Sequence, residues 1–175
     1  MTKSLIGVVL LSTLTIGFQD ATPPAAKPDD VKSMDAVIGA AYDSISGPAG
    51  QKRDWDRFRS LFVPGARLIP AVATNGGATA RVFSVEDYIQ RSTPGLERGF
   101  FEHEIARKTD AFGNIAQVFS TYESRHAAAD AAPFARGINS FQLLKDGDRW
   151  WIVTIYWDSE RPGNPIPAQY LPKKK

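Results

Sequence analysis

The apolar residues of this 175-residue chain change their spacing once, near Gly99, and that change limits what it can fold into. Before Gly99 they recur at three- and four-residue intervals, the repeat of amphipathic helices. After it they alternate with polar residues, the repeat of strands with two different faces. Helices therefore come first, and long antiparallel strands joined by tight turns follow.

In the first half, Val31, Met34, Val37, Ile38, Ala41, Tyr42 and Ile45 predict one helix, capped by Asp29 or Asp30 and stopped at Gly47-Pro48. A shorter helix follows, with Asp54 as its cap, Trp55, Phe58, Leu61 and Phe62 on one side, and Pro64-Gly65 as its terminator. Residues 66–73 read as a strand, Asn75-Gly76-Gly77 as a turn and residues 81–83 as a short return strand. Ser84 with Asp87 caps a third helix reaching Gln90.

In the second half, Phe112-Gly113-Asn114 and Asp146-Gly147 mark two hairpins. With Asp146 and Gly147 as the loop, Asn139 faces Thr154, and Phe141, Leu143, Trp150, Ile152 and Tyr156 share their side. By strand parity that side extends to His103 and Ile105 on the first long strand and to Ser120 and Tyr122 on the second. Glu102, Glu104, Glu123 and Arg125 fall on the opposite parity, whose charge points to solvent. The last strand also carries Trp151, Val153, Ile155 and Trp157, so its second face needs a cover. Either the Pro-rich tail of residues 161–171 or a second copy of the chain would supply it, the latter as a homodimer through the outer sheet.

Composition excludes several classes of function. Lys plus Arg number 21 and Asp plus Glu 19, too even a balance for a nucleic-acid partner. With no Cys there is no disulfide, thiolate metal site or thiol nucleophile. Phosphate-cradling glycine loops, serine elbows and metal-binding histidine pairs are absent, so no cofactor is expected. Lys3 followed by the apolar run 5–16 has the order of a signal peptide and is too short for a comfortable membrane span. The expected organisation is a signal peptide over residues 1–19, a flexible linker over 20–30, a domain over 31–160 and a tail over 161–175. The product would be periplasmic or secreted, with no stable transmembrane span after processing; an uncleaved membrane anchor is the alternative.

Two stretches carry a likeness to a known family. Arg53-Asp54-Trp55-Asp56-Arg57-Phe58-Arg59-Ser60-Leu61-Phe62-Val63-Pro64-Gly65-Ala66 resembles the second helix and first strand of the nuclear transport factor 2-like superfamily, and Asp148 to Trp157 resembles its last strand. The branch it looks like is SnoaL-like, which includes ketosteroid isomerases and polyketide cyclases. The resemblance implies an α+β roll: a cone formed by a strongly curved, mainly antiparallel sheet wrapped around about three N-terminal helices, with a pocket at its wide end.

If the sheet encloses a pocket, the shared face supplies its chemistry. Tyr42, Trp55, Phe58, Tyr88, Ser120, Tyr122, Asn139, Thr154 and Tyr156 are the expected ligand-binding residues: aromatic walls with a few hydrogen-bonding groups. His103, between Phe101 and Ile105, is the candidate acid or base because imidazole titrates near neutrality. A metal site of His103, Glu102 and Glu104 fails, since neighbouring strand residues point to opposite faces. The expected function is binding of a small, largely apolar molecule. The alternatives are an isomerase, cyclase or dehydratase using His103 with tyrosine donors, and an interaction module working through the outer sheet.

Overall fold

The computed structural model describes residues 22–173. The expected signal peptide lies outside them. Four α-helices, α1 (Pro28–Val31), α2 (Met34–Ile45), α3 (Trp55–Arg59) and α4 (Val85–Ser92), pack with six strands, β1 (Phe62–Thr74), β2 (Gly77–Ala80), β3 (Phe101–Phe112), β4 (Ile115–Arg125), β5 (Ala135–Asp146) and β6 (Arg149–Ser159). The architecture is α+β, with a curved, unclosed sheet in the order β2-β1-β6-β5-β4-β3. Only β1 and β6 run parallel; the other neighbours are antiparallel.

Local chemistry explains the helices and two departures from expectation. The expected helix from residue 31 is two, because Ser33 Oγ accepts the Ala36 N–H at 3.0 Å and starts a new helix after Lys32. Asp29 and Asp30 belong to the first turn before it, α1, where Asp30 is buried against Arg57. Asp54 caps α3 as expected, accepting from the Arg57 N–H at 3.0 Å, and Ser84 with Asp87 forms a complete capping box on α4. Pro64-Gly65 does not end a helix. It sits inside β1, where the pairing with β6 slips between Phe62 and Arg67.

The core lies between α2, α3 and the concave sheet face. Ile38, Phe58, Phe62, Leu68, Val118, Phe141 and Ile152 are each at most 2% exposed. Each such side chain contributes about 1.5–3 kcal/mol by leaving water.

Two bulges decide which side chains meet the helices. The β5–β6 turn closes on Asp146 and Arg149, so its loop is Gly147-Asp148, one residue later than Asp146-Gly147. Gly147 at φ 56 suits the first central position of a type II′ turn. That slide alone preserves the expected faces. Leu143 then pairs with Ile152, but Gln142 pairs with Thr154, leaving Val153 as an extra residue. Beyond it the parity inverts: Ile155 and Trp157 turn inward, while Thr154 and Tyr156 turn outward.

On β3 the register itself overturns the expectation. Glu102 pairs with Ser124 and Glu104 with Tyr122, so both glutamates share the inner face of β4, whereas His103 pairs with Glu123 and is exposed. Ile105 is the extra residue of a second bulge. Ser120 and Tyr122 do face inward, as read.

The tail covers part of the outer face. Ile166 is buried, the Tyr170 ring packs 5.4 Å from that of Phe119, and the Tyr170 carbonyl accepts from Thr121 Oγ1 at 2.6 Å. Tyr156 stays 47% exposed beside it.

Candidate functional site

Between α2, α3, α4 and the concave face lies a cavity of about 230 Å³. Phe58, Leu68, Tyr88, Phe141, Ile155 and Trp157 form apolar walls, and Phe134, half exposed, stands at the rim. The polar groups are Tyr42 from α2, Glu102 from β3, Tyr122 and Ser124 from β4, and Asn139 from β5. Phe100 completes the wall because it is paired with Gly47 through two backbone bonds, of 2.7 and 3.0 Å. Arg53 secures that loop by donating to the Ile45, Gly47 and Gln51 carbonyls.

Tyr42, Asn139, Glu102 and Ser124 form one connected network with a fixed proton order, and Tyr122 stands apart from it. Asn139 Nδ2 donates to Tyr42 Oη at 3.1 Å and to Glu102 Oε1 at 3.3 Å. Ser124 Oγ donates to Glu102 Oε2 at 2.8 Å. Ser120 donates to the Glu104 carboxylate, so it must accept from Tyr42, whose oxygen is 2.7 Å away. Tyr42 thus donates to Ser120 and accepts from Asn139, leaving no proton for a ligand. Tyr122 Oη has only Ser159 Oγ, at 3.2 Å, so its proton is available whenever Ser159 is the donor.

Glu102 is the carboxyl of the cavity wall. Burial raises its pKa from 4.5 to about 7, against the opposing pull of the Ser124 and Asn139 hydrogen bonds. Both protonation states are therefore populated near neutrality, as general acid–base chemistry requires. Burial, reinforced by Glu102, pushes the Tyr42 and Tyr88 hydroxyls well above the ordinary phenol value. Tyr122 is pushed up to about 12, chiefly by burial. All three tyrosines are neutral hydrogen-bonding groups at neutral pH.

Of the residues singled out from sequence, Tyr42, Phe58, Tyr88, Tyr122 and Asn139 meet at this cavity, and Ser120 lies fully buried behind Tyr42. Trp55 lines a neighbouring chamber. His103, Thr154 and Tyr156 do not reach the cavity, because the β3 register and the Val153 bulge turn them outward. Glu102, Ser124 and Trp157 take wall positions that sequence parity had assigned elsewhere or passed over. A signal for Glu102 was present: Ser120 and Ser124 on an inner face need polar partners across the strand. Among the described residues no group of three or more His, Cys, Asp or Glu is placed to hold a metal ion, and no helix is long and apolar enough to cross a membrane.

A curved sheet folded onto N-terminal helices, with polar groups gathered on its concave face, defines the nuclear transport factor 2-like fold, and the chain has that fold. It is similar to a protein of unknown function with a cystatin-like fold from Nostoc punctiforme: TM-score 0.54, 14% identity, covering 75% of this chain and 90% of that one. A Streptomyces avermitilis protein provisionally assigned as a dehydratase of the nuclear transport factor 2-like family gives TM-score 0.54 at 11% identity, over 77% of this chain and 99% of that one. A Parabacteroides distasonis protein provisionally assigned as a ketosteroid isomerase gives 0.50 at 10% identity, over 78% and 98%. No family model and no curated protein matches the sequence.

Proposed function

We propose that this chain binds a small, mainly apolar molecule in the cavity beneath the concave sheet, oriented by Glu102 and Tyr122. The observation that carries the reading is the Glu102 carboxyl, held by Asn139 and Ser124 within walls of Phe58, Tyr88, Phe141 and Trp157. A carboxyl among aromatic rings is costly to keep unless it meets something polar. A ligand hydroxyl or carbonyl there would restore the hydrogen bonds that burial removes. Differential scanning fluorimetry against steroids, polyketide-like phenols and fatty acids tests it. A true ligand at one hundred times its dissociation constant adds about 2.7 kcal/mol, and a melting point unmoved by the whole panel refutes the reading.

The same carboxyl favours a second reading, proton transfer. A group that is half ionised near neutrality can take a proton from a bound molecule and return it, with the Tyr122 hydroxyl steadying the charge that develops. In this reading Glu102 takes the place expected of His103. The enzymes provisionally assigned among structures of this fold are consistent with it, but the fold hosts unrelated activities. Solvent deuterium exchange into a bound ligand, lost in Glu102→Gln and kept in His103→Gln, is the distinguishing result.

Export belongs to the proposal as well. It rests on Lys3 and the apolar run 5–16. Fractionation of cells expressing the full chain would find it outside the cytoplasm.

A further inference from the structure

A second chamber of about 220 Å³ adjoins the first, and the two share Ile45, Tyr88 and Phe100 as a common wall. Each falls short of the roughly 300 Å³ at which pockets for small molecules begin, whereas together they pass it. The chambers differ in charge. Among the described residues, Glu102 is the only one of formal charge lining the inner chamber, and Arg91, in the last turn of α4, is the only one lining the outer. Among the described residues the Arg91 side chain makes no ion pair or hydrogen bond, and Asp87, one turn earlier on α4, feels its charge without bonding it. The Arg91 guanidinium lies 4.7 Å from the centre of the Phe83 ring, which orients the group without spending its donors.

We infer that the ligand is an elongated hydroxy acid: an apolar body running through both chambers past Tyr88, a carboxylate at Arg91, and a hydroxyl at Glu102. This inference rests on the cavity reading and names its ligand class. Tyr88 stands in the shared wall, stacked on Phe58 at 5.4 Å and edge-on to Trp157 at 6.3 Å, so a ligand that spans both chambers must displace its ring. Arg91 supplies a planar donor fork that fits a carboxylate, and no carboxylate of the outer chamber competes for it. At the other end a hydroxyl suits Glu102 in either state, donating to the carboxylate or accepting from the acid.

The probes are ω-hydroxydecanoate and its methyl ester, which differ by one methyl group and by the charge offered to Arg91. Trp55 lines the outer chamber and Trp157 the inner, so binding is read from intrinsic tryptophan fluorescence and confirmed by calorimetry. The acid is expected to bind about tenfold more tightly than the ester, the worth of a charge-assisted hydrogen bond. Arg91→Gln should abolish that preference by weakening the acid alone, and Arg91→Lys should keep part of it. Equal binding of acid and ester by the unaltered protein, or an equal loss of both in Arg91→Gln, overturns the inference and leaves the cavity reading standing. If neither probe binds while other molecules of the panel do, the hydroxy acid is refuted; if nothing binds, both readings fall.

Discussion

Asn139 Nδ2 donates to Glu102 Oε1 at 3.3 Å across the concave face, and Ser124 Oγ holds the other carboxylate oxygen at 2.8 Å. Two donors do not repay the solvation lost on burial, so the folded protein favours the protonated form, with a pKa raised from 4.5 to about 7. The sign follows. A carboxyl raised on folding contributes fully below about pH 4.5, and that contribution is lost as pH rises through about 7, on the order of 3 kcal/mol in all. Glu102→Gln removes the titration while keeping the shape, since the Ser124 hydroxyl can turn to accept from the new amide. Urea unfolding should show the variant gaining stability relative to the unaltered protein between about pH 5 and about pH 8. A difference independent of pH would mean that Glu102 is ionised throughout.

The opposite sign is expected at Asp30. Arg57 donates to both its oxygens, from Nε and Nη2, each at 2.8 Å, and holds the carboxyl below its ordinary value. This contribution is present above about pH 4 and is lost as pH falls through the lowered folded value. Asp30→Asn should cost about 2 kcal/mol near pH 7, where a charge-assisted fork is lost, and much less near pH 3. Denaturant midpoints at the two pH values check it. Because Asp30 precedes α2 and Arg57 lies on α3, the loss should also loosen the N-terminal turn, seen as faster amide exchange there.

On the outer face, the tail replaces water over Phe119 and Thr121. Ending the chain after Glu160 removes buried Ile166 and leaves the Thr121 hydroxyl without the Tyr170 carbonyl. The expected cost is about 2–4 kcal/mol, which lowers the melting point by roughly 5–15 °C. The uncovered strip should also bring chains together, so light scattering of the truncated protein should report a larger species than the full chain. An unchanged melting point would show that the tail contributes nothing to the domain.

Helix starts and turns that are specified locally were legible in the sequence: Ser84 with Asp87, Asp54, and Gly113-Asn114 act within a few residues of themselves. The site was only partly legible because its faces depend on two bulges. Strand parity carries a face correctly until an extra residue intervenes, and nothing in Thr154 or its neighbours marks Val153 as that residue. Ile152 was therefore assigned correctly, while Thr154 and Tyr156 were placed on the wrong side. His103 illustrates a different limit. The rule that charge faces water put Glu102 outside, but this wall uses a buried carboxyl held by Ser124 and Asn139, and only the pairing of β3 with β4 makes that visible.

Gly137 and Tyr122 provide a test of how closely the cavity wall is built. They pair across β4 and β5, and a Cβ at Gly137 would collide with the Asp158 carbonyl oxygen and lie 2.5 Å from Tyr122 Oη and 2.7 Å from Tyr122 Cζ. Gly137→Ala therefore has to move both the β6 backbone and the Tyr122 ring. The expected cost is about 1–3 kcal/mol, the usual range for forcing atoms into filled space. Removing the hydroxyl in Tyr122→Phe relieves only one of these collisions, so most of the cost of Gly137→Ala should persist in that background. A double-mutant cycle by chemical unfolding measures the remainder. If Tyr122→Phe erased the cost, the β6 carbonyl would not be the obstacle, and the close approach of β5 to β6 at this point would be wrong.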